Sequence, residues 1–155
     1  MLLVRPDNEE VTRASMWIMH DDKWFKQVQQ QTEREQKELL KDLFANAGWE
    51  AERILKGVQD ADGFYIQQIA QIKLDTWSRG RVSLVGDGAY CPTPISGMGT
   101  TIAMVGGYVL AGDFVQHWPE HAAGFEAYEQ KMRPFVAKAQ KLAPGAPGLA
   151  NPQTQ

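Results

Sequence analysis

A chain of 155 residues, 43% hydrophobic and 23% charged, has the length of one domain and the composition of an ordinary globular protein. Its net charge of −3 provides no concentrated basic face, so neither nucleic acid nor an anionic membrane is expected as a partner. The single cysteine, Cys91, excludes an internal disulfide and a multi-cysteine zinc site, and the longest apolar stretch, Ile102 to Ala111, falls far short of the ~20 residues that span a membrane. With no secretory pattern at the start, a reduced, cytoplasmic protein is the expectation.

Leu2 to Val4 reads as a strand, Pro6-Asp7-Asn8 as a turn, and Thr12 to Met19 as a returning strand, which together make a hairpin. From Gln29 to Ala47 the apolar residues Leu39, Leu40, Leu43, Phe44 and Ala47 form one stripe of a helix, with Gly48 where such a helix stops. Glu33 and Lys37 on that helix read as a solvated charge pair. A second helix is expected from Glu50 to Gln59, on Ala51, Ile54, Leu55 and Val58.

Phe64 to Leu74 has enough alternation for a strand. Ser78-Arg79-Gly80 reads as a turn and Arg81 to Val85 as a more apolar strand. A loop rich in glycine and proline, Gly86 to Ser96, precedes a helix of small residues from Met98 to Val115, which ends near His117-Trp118-Pro119. The last helix carries Phe125, Tyr128, Met132, Phe135, Val136, Ala139 and Leu142 on one side, and Pro134 within it predicts a kink or restart. The expected organisation is a single domain over residues 1–142 and a flexible Pro/Gly tail over 143–155. The five tryptophans are expected mostly in core or interface.

The stretch that carries chemistry runs from Gly80 through Val85-Gly86-Asp87-Gly88-Ala89-Tyr90 and Pro94 to Gly97-Met98-Gly99-Thr100. An apolar strand ending in Gly86-Asp87 delivers one carboxylate at its C-terminal edge, where open α/β sheets place ligands. Glycines on both sides of Asp87 allow close approach of another molecule. Gly97-Met98-Gly99 then brings bare backbone N–H groups to a helix start, where free donors and the helix dipole favour an electron-rich group. A carboxylate for hydroxyls beside donors for a ring edge suits a polyol attached to a heterocycle.

This segment resembles the second flavin-binding motif of the class A flavoprotein monooxygenases, the para-hydroxybenzoate hydroxylase type: Gly-Asp-Ala-Ala-His, three residues, Pro, two residues, Gly, any residue, Gly. Gly86, Asp87, Ala89, Pro94, Gly97 and Gly99 fall in register, while Gly88 and Tyr90 replace the usual alanine and histidine. The likeness extends to Gln71 through Gly80, to Tyr108 through Gly112, to Tyr128 through Pro134 and to the opening Leu3 to Pro6, so it covers nearly the whole chain. It implies an α+β fold, with short antiparallel strands from a substrate-binding sheet packed with about four helices. It further implies that Asp87 accepts a hydrogen bond from the ribityl chain of FAD and that Pro94, Gly97, Met98, Gly99 and Thr100 shape the backbone facing the pyrimidine side of the flavin.

Against the family pattern, the opening Gly-x-Gly-x-x-Gly of the pyrophosphate site and the mid-chain Asp-Gly motif are missing, so the chain corresponds to the C-terminal portion alone. Three functions follow. One is an FAD-dependent monooxygenase-like protein acting on an aromatic or polyketide-type metabolite, its FAD affinity weakened in the isolated chain and NAD(P)H used only in an assembled enzyme. Another is a stand-alone relative without FAD that performs an isomerisation or cyclisation, with Asp87, Tyr90 or Tyr65 as candidate acid–base groups. The last is a non-catalytic dimeric binding module. A homodimer, or a partner chain covering the missing layer, is expected because its absence leaves strand edges and apolar surface open. No metal site is expected: His117 and His121 are four apart, but Pro119 spoils a helical pair.

Overall fold

The computed structural model describes residues 1–7, 11–146 and 148. The expected tail over 143–155 lies largely outside the described residues, as does Asn8 of the first turn. The chain forms two compact units, one built on residues 1–68 and one on residues 69–150. The architecture is α+β, as the resemblance implies, with two small antiparallel sheets and six α-helices among the described residues.

In the first unit, β1 (Leu2–Pro6) pairs antiparallel with β2 (Thr12–Met16), Leu2 opposite Met16 and Val4 opposite Ala14. Helix α1 (Asp22–Val28), absent from the sequence reading, begins where the Asp21 carboxylate accepts the Trp24 N–H, a bond that also holds this acid below its ordinary pKa. A second cap at Thr32 starts α2 (Glu33–Phe44) later than the stripe alone suggests. The Glu35 N–H donates to Thr32 Oγ1, and the Thr32 N–H donates back to the Glu35 carboxylate at 2.7 Å, a reciprocal capping box. Leu40 and Phe44 of α2 and Leu55 of α3 (Ala51–Gln59) form the core, with Leu2, Met16, Ile18, Phe64 and Ile66 packed against it.

Lys37 departs from expectation. It is paired with Glu33 at 2.8 Å, yet only 8% exposed. Its Nζ donates to the carbonyls of Gln59 at 3.3 Å and Ala61 at 3.1 Å, so the ammonium stitches α2 to the end of α3. A lysine buried along its stem needs such acceptors for its head.

The second unit is built around α5 (Gly99–Gln116) and α6 (His121–Gln140), which pack together over Trp77, Ala89, Tyr90, Ile102, Tyr128, Met132, Val136 and Ala139. The helices come close where Gly124 meets α5: a Cβ there would sit 3.0 Å from the Asp113 carbonyl oxygen. Helix α6 continues through Pro134, so the helix does not restart there. Pro134 and Gln130, four residues earlier, are exposed, so the carbonyl that loses its donor can turn to water.

The strand predicted over Phe64 to Leu74 is not formed, and the strand predicted over Arg81 to Val85 is reduced to β4 (Val82–Ser83), paired with β3 (Ser78–Arg79). In the second unit the reason is a set of side chains that take over main-chain partners. Gln140 donates to the Ile72 carbonyl at 2.7 Å, Arg133 to the Asp75 carbonyl at 2.6 Å, and Glu129 accepts the Trp77 N–H at 2.8 Å. Once satisfied individually, these groups need no ladder.

Candidate functional site

After β4 the chain crosses α5 at Gly86. This residue is buried with φ +70, and a Cβ added to it would lie 3.2 Å from the Cβ of Ala103. Both the left-handed backbone and the close approach require glycine. The next residue, Asp87, opens the short helix α4 (Asp87–Tyr90) and is exposed. Its carboxylate makes no hydrogen bond or ion pair among the described residues. It lies at the start of α5, with Oδ1 3.8 Å from where a Cβ on Gly99 would be.

The crossing loop is set by hydroxyls that the sequence reading did not single out. Thr93, buried and at φ 77, accepts the Ile95 N–H on Oγ1 at 2.9 Å. Ser96 Oγ donates to the Thr93 carbonyl at 2.9 Å and accepts the Met98 N–H at 3.1 Å. A β-branched residue at positive φ is sterically costly, and no sequence signal marks it. Gly97, at φ 65, closes the 3₁₀ turn Pro94–Ser96 by donating to the Pro94 carbonyl at 3.1 Å.

These bonds sort the donors at the tip of α5. The amides of Gly97 and Met98 are engaged, and the first bond of the helix proper runs from Ile102 N–H to the Met98 carbonyl at 3.0 Å. The N–H groups of Gly99, Thr100 and Thr101 have no partner among the described residues. An unpaired carboxylate and three free amides therefore lie at one corner, the amides backed by an 18-residue helix dipole.

Tyr90 is 1% exposed, and its hydroxyl is hydrogen-bonded to that of Tyr128, which donates to the Leu84 carbonyl, each at 3.0 Å. Burial, then the Tyr90 hydroxyl, pushes the Tyr128 phenol far above its ordinary pKa, so it stays neutral. Trp77 packs against both rings, at 4.5 and 5.7 Å between centroids, and Arg133 lies over Trp77 at 4.6 Å. Packing thus places Tyr90 in the core behind Asp87, while Tyr65 is 72% exposed in the other unit. Of the tryptophans, Trp77 is core, whereas Trp49 and Trp118 are 72% and 68% exposed.

A cleft of about 420 Å³ lies elsewhere in this unit, between Ser78–Gly80 and the Glu129–Arg133 stretch of α6. Of its charged side chains, Glu129 and Arg133 are engaged in the braces to Trp77 and Asp75. The corner at Asp87 is open surface rather than a closed cavity. Among the described residues no helix is long and apolar enough to cross a membrane.

Residues 1–143 match the family model described as FAD binding domain. The FAD-dependent monooxygenase asL6 of Sarocladium schorii is 38% identical over 141 residues, which is 91% of this chain and 33% of that protein. The chain belongs to the FAD-dependent monooxygenase family. The monooxygenase CTB7 of Cercospora beticola, another relative, is 38% identical over 99% of this chain and 38% of its own length. Among solved structures, the tetracycline destructase Tet(55) superposes with a TM-score of 0.68 at 37% identity, over 79% of this chain and 31% of that one. The chain thus spans about a third of the length of the relatives it matches.

The site geometry fits the flavin end of the family's cofactor. A carboxylate able to accept a hydrogen bond from a hydroxyl stands beside N–H donors that have no partner among the described residues, and Asp87 Oδ1 lies 3.8 Å from where a Cβ on Gly99 would be. The chain has no Gly-x-Gly-x-x-Gly with which to hold a pyrophosphate.

Proposed function

We propose that this chain supplies the flavin-end half of an FAD-dependent monooxygenase site acting on a small aromatic or polyketide-type metabolite. The observation that carries this reading is the Asp87 carboxylate standing at the α5 tip, where it and three amides lack partners among the described residues. Asp87 accepts a hydrogen bond from a ribityl hydroxyl. The amides of Gly99, Thr100 and Thr101 face the pyrimidine edge and favour negative charge there, while Pro94, Gly97 and Met98 hold the loop that presents them. When bound, the flavin supplies the redox chemistry, taking reducing equivalents from NAD(P)H and activating dioxygen for transfer of one oxygen to an activated ring.

The tetracycline named for the solved relatives is in keeping with such a substrate. Because the residues present serve one end of the dinucleotide, the reading includes a further polypeptide layer for the other end, with the assembled protein working in the cytoplasm. A non-redox acid–base role for the tyrosines finds less support, since Tyr90 is enclosed and Tyr65 is exposed in the other unit.

The absorbance spectrum of the chain after equilibration with excess FAD and gel filtration tests this. Retained flavin is expected for the native sequence. Asp87→Ala should retain at least about tenfold less, the worth of a hydrogen bond to a charged group. Equal retention by the variant would refute the role given to Asp87.

A further inference from the structure

The charges in the cleft between Ser78–Gly80 and α6 fall into two groups. Glu129 and Arg133 are paired at 2.6 Å; Glu129 accepts the Trp77 N–H, and Arg133 donates to the Asp75 carbonyl while lying over the Trp77 ring. Together they make one fixed wall. Asp75, Arg79 and Glu126 line the same cleft, are exposed, and have no ion pair among the described residues. Glu126 accepts one hydrogen bond, from Gln130 at 3.2 Å. The braces also set the direction of the chain. Asp75 stands opposite Arg133 and Trp77 opposite Glu129, so this segment runs antiparallel to α6 and carries Arg79 toward the level of Glu126. Asp75 therefore marks one end of the cleft, with Arg79 and Glu126 two helical turns away, about 10 Å.

We infer that this cleft binds a free basic α-amino acid of the lysine type, its α-carboxylate on Arg79, its α-ammonium on Glu126 and its side-chain ammonium on Asp75. The charge pattern carries the assignment. Two acids and one base without partners complement a molecule with two cationic groups and one anionic group. The spacing agrees with it. An α-amino acid holds its carboxylate and ammonium on one carbon, so its head bridges Arg79 and Glu126, which do not pair directly. Its methylene stem then runs along the cleft toward Asp75, past the wall that Glu129 and Arg133 hold in place. The guanidinium fork of Arg79 matches a carboxylate. A simple diamine would instead set a cation against Arg79, and a dicarboxylate would set an anion against Asp75 or Glu126. A volume of about 420 Å³ lies within the range of small-molecule sites. None of these residues belongs to the Asp87 corner, so the site is independent of the flavin reading.

Titration calorimetry of the full chain with L-lysine at low salt tests this, and saturable one-to-one binding is expected. Norleucine lacks the side-chain ammonium, cadaverine the carboxylate, and Nα-acetyl-lysine the α-ammonium. Each should bind at least about tenfold more weakly than lysine, the worth of one hydrogen bond between charged groups. The variants should match the ligands one by one. Asp75→Asn should weaken lysine about tenfold and leave norleucine unchanged; Arg79→Gln should do the same for lysine and leave cadaverine unchanged. Glu126→Gln should likewise weaken lysine and leave Nα-acetyl-lysine unchanged. All three side chains are exposed, so the variants should keep the native circular dichroism. Absence of saturable lysine binding overturns the inference. So do four ligands that bind alike, or variants that weaken every ligand equally, since both mean general attraction between charges rather than a site. Asp87→Ala should bind lysine as the native chain does, so that loss of the flavin reading and loss of this site are read separately.

Discussion

The two sides of α5 are made of similar small and apolar residues but behave differently. On the inner side each residue answers to a particular neighbour: Gly106 to the Tyr90 hydroxyl, Asp113 to Lys131 and to the close approach of Gly124. On the outer side Met104, Tyr108 and Val115 are 72%, 83% and 74% exposed, although their chemistry is that of a core. Composition alone does not separate the two faces; what separates them is whether a facing element is present. One face is a packed interior and the other an apolar surface exposed in this chain.

The largest effect should come from Gly106→Ala. Its Cβ would lie 2.0 Å from the Tyr90 hydroxyl oxygen and 3.3 Å from Val85 Cγ2, an overpacking expected to cost about 3 kcal/mol in urea unfolding. Adding Tyr90→Phe should recover part of that loss, and failure to recover any would mean the inner face is not set by this contact. Next, Lys131→Met strips the counter-ion from a buried carboxylate and should cost about 2 kcal/mol by the same assay. An unchanged midpoint would show that Asp113 does not depend on its partner.

The Tyr128 phenol gives a pH-dependent signal from the same interior. Below about pH 10, the usual value for tyrosine, the phenol is protonated folded or unfolded and its stabilisation is fully present. Above that, the unfolded chain ionises first, because burial raises the folded-state pKa; the folded state then binds more protons and stability falls as pH rises. Tyr128→Phe should flatten this alkaline slope while costing about 1 kcal/mol at neutral pH for the lost hydrogen bonds. The smallest change belongs to Gly107→Ala, one residue from Gly106, where an added Cβ meets nothing within 4 Å. It should be neutral or stabilise by up to about 1 kcal/mol through helix propensity.

Much of this was legible in the sequence where periodicity speaks: the stripes of α2, α3 and α6, the opening hairpin, and the register of Gly86, Asp87, Pro94, Gly97 and Gly99. What escaped depends on partners far along the chain. The stretch before Trp77 alternates like a strand, but its fate is set by Glu129, Arg133 and Gln140, more than 50 residues away. Lys37 looked like one half of a surface pair because the carbonyls of Gln59 and Ala61 that bury it leave no trace in local spacing. Within the candidate site, sequence placed the donors at Gly97 to Thr100. Only the hydroxyl of Ser96 and the 3₁₀ turn reveal that Gly97 and Met98 are already engaged, leaving Gly99, Thr100 and Thr101.

A paired fluorescence titration with riboflavin and with FAD goes to the heart of the account. If the chain grips only the flavin end, the two should bind with the same affinity, and Asp87→Asn should weaken both by about tenfold. FAD binding far tighter than riboflavin, or either flavin binding without regard to Asp87, would contradict it.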